Sequence, residues 1–243
     1  MNILDFIILA IMAYGLLAGM YKGSITSGLS AVGFVGAWFG AQQVYDKIAN
    51  FALSNSTLMA VLNQYLEPES FFENHTQAVT AVSDVIAGGE AALSNAVSSI
   101  GKNFGFISDA FSANIRNQAF SALSLKTLAD YFDQTLWVAV FNVVAFVVAF
   151  AVIYFVINLF VNLLDRVISF PVFRVCDGLI GGVFGLLRAS VVVVLVLTIM
   201  PMLTSLISPE LTAKLTSESA LYTFASQFDL LSVGSWIESL ILG

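Results

Sequence analysis

Ionisable and amide side chains inside otherwise apolar stretches are the residues in this chain with the most chemical potential. Asn158, Asn162 and Asp165 fall at i, i+4 and i+7 and would share one face of a helix. Arg188 stands at the head of a charge-free run, 189–209, and Asp177 lies eleven residues before it, about 16 Å along a helix. Charged groups within a membrane span are rare and face a partner or a pathway. The Asn158/Asn162/Asp165 face therefore reads either as a hydrogen-bonding bridge to Arg188 or as part of an ion or substrate path. Asp5, near the start of the first apolar run, suits a helix N-terminus, where the helix dipole favours an anion.

Reaction chemistry of other kinds has no basis in the sequence. His75 is the only histidine, with no second His or Cys nearby to make a metal site. No Gly-x-Ser-x-Gly elbow, phosphate-binding loop or dinucleotide fingerprint occurs. The expectation is a protein that is not an enzyme and carries no cofactor. Cys176, the single cysteine, cannot form an internal disulfide and reads as a small buried thiol rather than a lipidation site. A net charge of −7 excludes the basic surface that nucleic acid requires.

The elements that would position these residues are set by hydrophobicity. Of 243 residues 58% are hydrophobic and only 10% charged, far below the quarter usual in soluble domains. Residues 6–21, 23–45, 134–164 and 189–209 carry no charge. A helix needs about 20 apolar residues to cross a bilayer. Ile3–Tyr21, Ser24–Ala41, Leu136–Leu163 and about Gly178–Leu206 are thus expected to be four transmembrane helices. Two starts are open for the last: near Gly178, with Arg188 at mid-bilayer, or near Ala189, with Arg188 at the interface. No cleavable signal peptide is evident, and the first helix is expected to remain as an anchor.

The expected architecture is all-α: an integral membrane protein with four transmembrane helices in two hairpins. Residues 1–45 hold helices 1 and 2, 46–133 a helical insertion, 134–207 helices 3 and 4, and 208–243 an amphipathic tail. Lys22 in one short turn, and Arg166 and Arg174 in the other, place both turns in the cytoplasm by the positive-inside rule. Both termini and residues 46–133 are then extracytoplasmic, with Trp38 and Trp137 at the outer interface. The insertion has four basic residues against nine acidic ones, net −5. Its apolar residues recur at helical spacing in Thr57–Leu66, around Val79–Ile86 and in Phe104–Phe120, with breaks at Gly88-Gly89 and near Gly101–Gly105. Ser124 is the expected cap of a short helix, Leu125–Phe132, leading into helix 3. Ser208-Pro209 is a helix-start pair. Tyr222, Phe224, Phe228, Leu231 and Trp236 give the tail an apolar face, suited to the membrane interface or to packing on the other helices.

Glycine spacing supplies the packing signal. Gly15, Gly19 and Gly23 lie four apart, as do Gly36 and Gly40, Gly178 and Gly182, and Gly181 and Gly185. Small residues at this spacing let backbones approach where lipid provides no hydrophobic contrast. The faces can pair within one chain, with a protein partner or in a homo-oligomer. Gly15-Leu-Leu-Ala-Gly19-Met-Tyr21 is also echoed by Gly178-Leu-Ile-Gly-Gly182-Val-Phe184, an echo within reach of coincidence.

Two stretches resemble the colicin V production protein (CvpA) family of bacterial inner-membrane proteins. One is Asn2-Ile-Leu-Asp5-Phe-Ile-Ile followed by Gly15, Gly19 and Lys22-Gly23; the other runs Arg174-Val-Cys-Asp177-Gly178-Leu-Ile-Gly-Gly182-Val-Phe-Gly185-Leu-Leu-Arg188. The resemblance covers residues 1–45 and 135–207. It implies an inner-membrane protein linked to toxin production or export, with no established activity. Two functions remain in view: a non-enzymatic scaffold or accessory factor in export and envelope homeostasis, and an oligomeric small-solute or ion channel or transporter.

Overall fold

The computed structural model describes residues 2–62, 67–101, 104–167 and 174–227, and among these the elements are helices joined by turns, with no strand. Three helices are long and apolar enough to cross a membrane, within α1 (Ile3–Gln42), α8 (Leu128–Val167) and α9 (Arg174–Ile207). Between them lie α2 (Tyr45–Leu53), α3 (Ser56–Leu62), α4 (His75–Ala78), α5 (Val82–Ala87), α6 (Gly89–Gly101) and α7 (Ser108–Arg116). The tail adds α10 (Pro209–Ser217) and α11 (Ala220–Gln227).

The expected first and second helices are the two helical segments of α1, separated by a single non-helical residue. Gly23 has φ +78° and ψ 174°, left-handed-side torsions that a side chain resists. The Ser27 hydroxyl donates to the Gly19 carbonyl at 3.0 Å, across eight residues. In an unbroken helix those residues would be about 12 Å apart along the axis. The chain therefore changes direction at Gly23 without any linker.

The chain divides into two compact units. The first holds Met1–Tyr45 and the described residues from Phe146 to Gln227. Its main packing is α1 on α9, joined by the tail helices: Leu4 and Ile8 of α1, Leu197 of α9 and Ala225 of α11 form one buried cluster, with Leu221 and Tyr222 against it. The apolar face of the tail is thus at least partly occupied by the unit's own helices. Burial pushes the Tyr222 phenol above its usual range. Ser208 caps α10 as the sequence predicts, its hydroxyl accepting the Leu211 amide at 3.3 Å with Pro209 in the first turn. Phe228, Leu231 and Trp236 lie outside the described residues.

The second unit, Asp46–Ala145, is built on aromatic side chains. Phe132 sits against Phe104 (ring centroids 5.5 Å apart), Phe111 (5.8 Å) and Phe72 (6.0 Å), and Phe104 against Phe71 (4.8 Å). Ile100, Ile107 and Ile115 are fully buried around them. Gly89, at φ +71°, makes the expected break, here between α5 and α6. Helix α3 is described as far as Leu62, and residues 63–66 of the expected stretch lie outside those described.

The start of α8 corrects the sequence reading. Ser124 is not its cap: it has φ +61°, ending a 3₁₀ turn. Thr127 takes that role, its hydroxyl accepting the Asp130 amide at 3.1 Å while Asp130 accepts the Thr127 amide at 3.1 Å. A backbone pair, Val82 N–H to the Lys126 carbonyl and Leu128 N–H to the Thr80 carbonyl, pins this corner. From there α8 runs unbroken to Val167, so no separate helix precedes the span.

Candidate functional site

The glycines of α1 and α9 bring two backbones into direct contact. A Cβ on Gly19 would collide with the Gly181 carbonyl, one on Gly185 with the Gly15 carbonyl, and one on Gly15 with Ala189. Gly178 faces the Met20 carbonyl, and Gly182 the side chains of Met20 and Leu16. The contact lies within one chain, and the two echoing segments are the ones that meet across it. Gly40 packs on Ile153 of α8, whereas a Cβ on Gly36 would meet nothing within 4 Å, so Gly36 takes no part in a close approach. Its position on the exposed side of α1 is the reason.

A carboxylate ties down the chain at each end of the first helical segment of α1. Asp177 accepts the Ser24 amide at 2.8 Å and the Ser24 hydroxyl, so the residue after the Gly23 break is tied to the first turns of α9. At the opposite end Asp5 forms a capping box with Asn2 and also accepts the Ser219 hydroxyl (2.6 Å) and the Leu221 amide (3.1 Å). Asn2 reinforces the link by donating to the Leu215 carbonyl at 2.7 Å. Asp5 does more than cap a helix: it anchors α11 to α1. Ser219 is buried.

Between these ends lies Arg188. Helix α9 is continuous from Arg174, passing both starts left open by the sequence, and places Arg188 well inside the element. Its Nη1 donates to the Ser30 hydroxyl and to the Tyr154 hydroxyl, each at 2.8 Å. Ser30 donates in turn to Asn158 Oδ1 at 2.8 Å, and the Asn158 amide donates to the Tyr154 carbonyl at 3.0 Å. Arg188 makes no direct hydrogen bond to Asn158 among the described residues; Ser30 stands between them. Asn162, one turn further along α8, is exposed and stands outside this network. The Asp165 side chain lies outside the described residues, as does Pro171. Cys176 is exposed rather than buried, in the first turn of α9 ahead of the seam. His75 is on the surface, its Nδ1 2.7 Å from Glu69 Oε2.

Ser24, Ser27, Ser30, Tyr154 and Ser219 are the working residues that charge and glycine patterns overlooked. A signal for three of them exists: Ser24, Ser27 and Ser30 recur every third residue in a charge-free run, placing hydroxyls close together on the helix.

A cavity of about 690 Å³ opens beside Arg188, within the first unit. Arg188, Lys22, Asn158 and Tyr154 supply its polar wall, and Ile7, Ile11, Phe34 and Val192 much of the apolar one.

The sequence as a whole matches the family model described as colicin V production protein, over residues 4–87 and 104–229. The chain belongs to that family. The match lapses between 87 and 104, the stretch that folds as α6. No curated protein and no solved structure matches the chain significantly.

Proposed function

We propose that this chain is a multi-pass, non-enzymatic accessory protein of the bacterial inner membrane, a scaffold supporting colicin V production or export and envelope homeostasis. In this reading α1 crosses the membrane twice. Residues 3–22 and 24–42 would each measure about 30 Å at a 1.5 Å rise, the thickness of the hydrocarbon core. Helices α8 and α9 supply the third and fourth spans. The turns at Gly23 and between α8 and α9 face the cytoplasm, and both termini and residues 46–133 lie outside, in keeping with Lys22, Arg166 and Arg174.

The observation that carries the scaffold reading is the use made of intramembrane polar groups. Asp177 ties α1 to α9, Asp5 ties α1 to the start of α11, and Asn158 ties Ser30 of α1 to α8. Such contacts hold helices in one arrangement, since polar groups in lipid find their partners within the protein.

Two measurements test the proposal. In liposomes, the purified protein is expected to add no Na⁺, K⁺, Cl⁻ or proton flux to that of protein-free vesicles. Protein-dependent flux overturns the scaffold in favour of the channel. In intact cells carrying Cys176→Ser, a cysteine at Lys22 should resist a membrane-impermeant thiol reagent while one at His75 reacts. Labelling at Lys22 from outside overturns the orientation.

A further inference from the structure

The cavity beside Arg188 is asymmetric along its length. Its α1 wall runs from Ile7 to Lys22, fifteen residues or about 23 Å at a 1.5 Å rise. Ile7, Ala10, Ile11 and Val192 line one end, while Lys22 lies at the other with Arg188 between. Two cations therefore share a cavity whose lining includes no carboxylate.

Arg188 has donors to spare. A guanidinium carries five N–H groups. The two hydrogens on Nη1 go to Ser30 and Tyr154, both neutral hydroxyls. The Nε and Nη2 hydrogens have no hydrogen-bond partner among the described residues, and the ion pairs among them are His75–Glu69 and Arg116–Glu90. A charge in an apolar setting is costly without a counter-ion. The planar fork of arginine matches a carboxylate or phosphate in a bidentate grip. Ser30, Tyr154 and Asn158 meanwhile hold that fork in position. The volume falls in the range of ordinary small-ligand sites, about 300–1,000 Å³.

We propose that this cavity binds an amphiphilic anion, its oxyanion head held by Arg188 and Lys22 and its apolar tail laid along Ile7, Ile11 and Val192. The head is a carboxylate or phosphate, and the ligand comes either as a free fatty acid or as an anionic membrane lipid inserting one chain. The site stands whether or not the bundle serves as a scaffold, because binding and ion flux are separate readouts.

The test uses the full chain in a non-ionic detergent with radiolabelled hexadecanoate. Saturable binding is expected, with hexadecanol, which lacks the charge, competing at least tenfold more weakly and inorganic phosphate, which lacks the tail, not competing. Arg188→Gln should weaken binding tenfold or more and Arg188→Lys should recover part of it. Val192→Trp, which fills the apolar end and leaves both cations in place, should abolish it. Should Arg188→Gln fail to give a monodisperse particle, Lys22→Gln decides, since Lys22 lies outside the Ser30–Tyr154 network; it should weaken hexadecanoate and leave hexadecanol unchanged. Displacement by phosphatidylglycerol identifies a membrane lipid as the source, and binding indifferent to phosphatidylglycerol identifies a free fatty acid. Equal affinity for hexadecanoate and hexadecanol, or unchanged binding in well-folded Arg188→Gln and Lys22→Gln, overturns the proposal.

Discussion

The two compact units of this chain solve the packing problem in opposite ways. In the second unit the largest side chains are the most buried: Tyr131, Phe104, Phe111 and Phe132 are among those hidden almost completely. In the first, glycines meet glycines while Tyr14, Tyr21, Val32 and Phe39 point outward. Apolar bulk is driven inward only where the alternative is water. Lipid tails are as apolar as leucine, so a helix in a bilayer gains nothing by hiding a phenylalanine and gains contact by removing side chains altogether. The same exposed residues that would mark an aggregation hazard on a soluble protein are the expected outer surface of a membrane bundle.

The most severe test of this contrast is Phe132→Ala. Removing a ring that touches Phe72, Phe104 and Phe111 should cost the second unit about 3–5 kcal/mol, the usual range for core Phe→Ala. Denaturant unfolding followed by near-UV circular dichroism reports it. A loss below about 1 kcal/mol would show that the aromatic cluster does not hold the unit together.

Gly19→Leu tests the opposite rule, adding bulk where the second unit would welcome it. The new side chain meets the Gly181 backbone, so neither helix can yield by changing a rotamer. A loss of about 1–3 kcal/mol is expected, toward the upper end, read as a fall in Tm in detergent. An unchanged Tm would mean that the seam does not support the bundle.

Next in size is the link at Asp5. Asp5→Ala removes the acceptor of the Ser219 hydroxyl and the Leu221 amide, which should free α11 from α1. Limited proteolysis should then cut faster between Ser208 and Gln227, with the pattern of the second unit unchanged. Protection equal to wild type would assign the docking of the tail to the Leu4–Ile8–Leu197–Ala225 cluster alone.

The smallest effect belongs to Gly36→Leu. It has the same spacing motif as Gly19 and nothing within 4 Å of its Cβ position, so stability should change by no more than about 0.5 kcal/mol. A large loss in detergent would reveal a partner for this face, such as a second copy of the chain.

Gly36 and Gly19 also show where reading from residues stops. Both sit in the same four-residue spacing, and only the arrangement of neighbours separates a seam from an open face. The same holds for Arg188: its position in an apolar setting marks it as unusual, and the bridge expected from the Asn158/Asn162/Asp165 face is replaced by an indirect link. The intermediary, Ser30, lies 158 positions away in sequence, and its recurrence with Ser24 and Ser27 does not say which distant residue it meets. Asp5 reads as a helix cap because the capping box is local, a matter of three residues. Its second role needs Ser219, 214 residues distant, which no local pattern can reveal.

What the sequence determined by itself is whatever depends on near neighbours or on average polarity. The apolar runs and their length, the helix starts at Asn2 and Ser208, the break at Gly89 and the family motifs are of this kind, because solvent transfer and backbone capping act over a few residues. Tertiary structure alone decided that Gly15 and Gly19 face Gly185 and Gly181. It also decided that Arg188 and Lys22 share one cavity. Each of these rests on atoms brought together from distant parts of the chain, where close packing and geometry, rather than composition, choose among partners that look equivalent in one dimension.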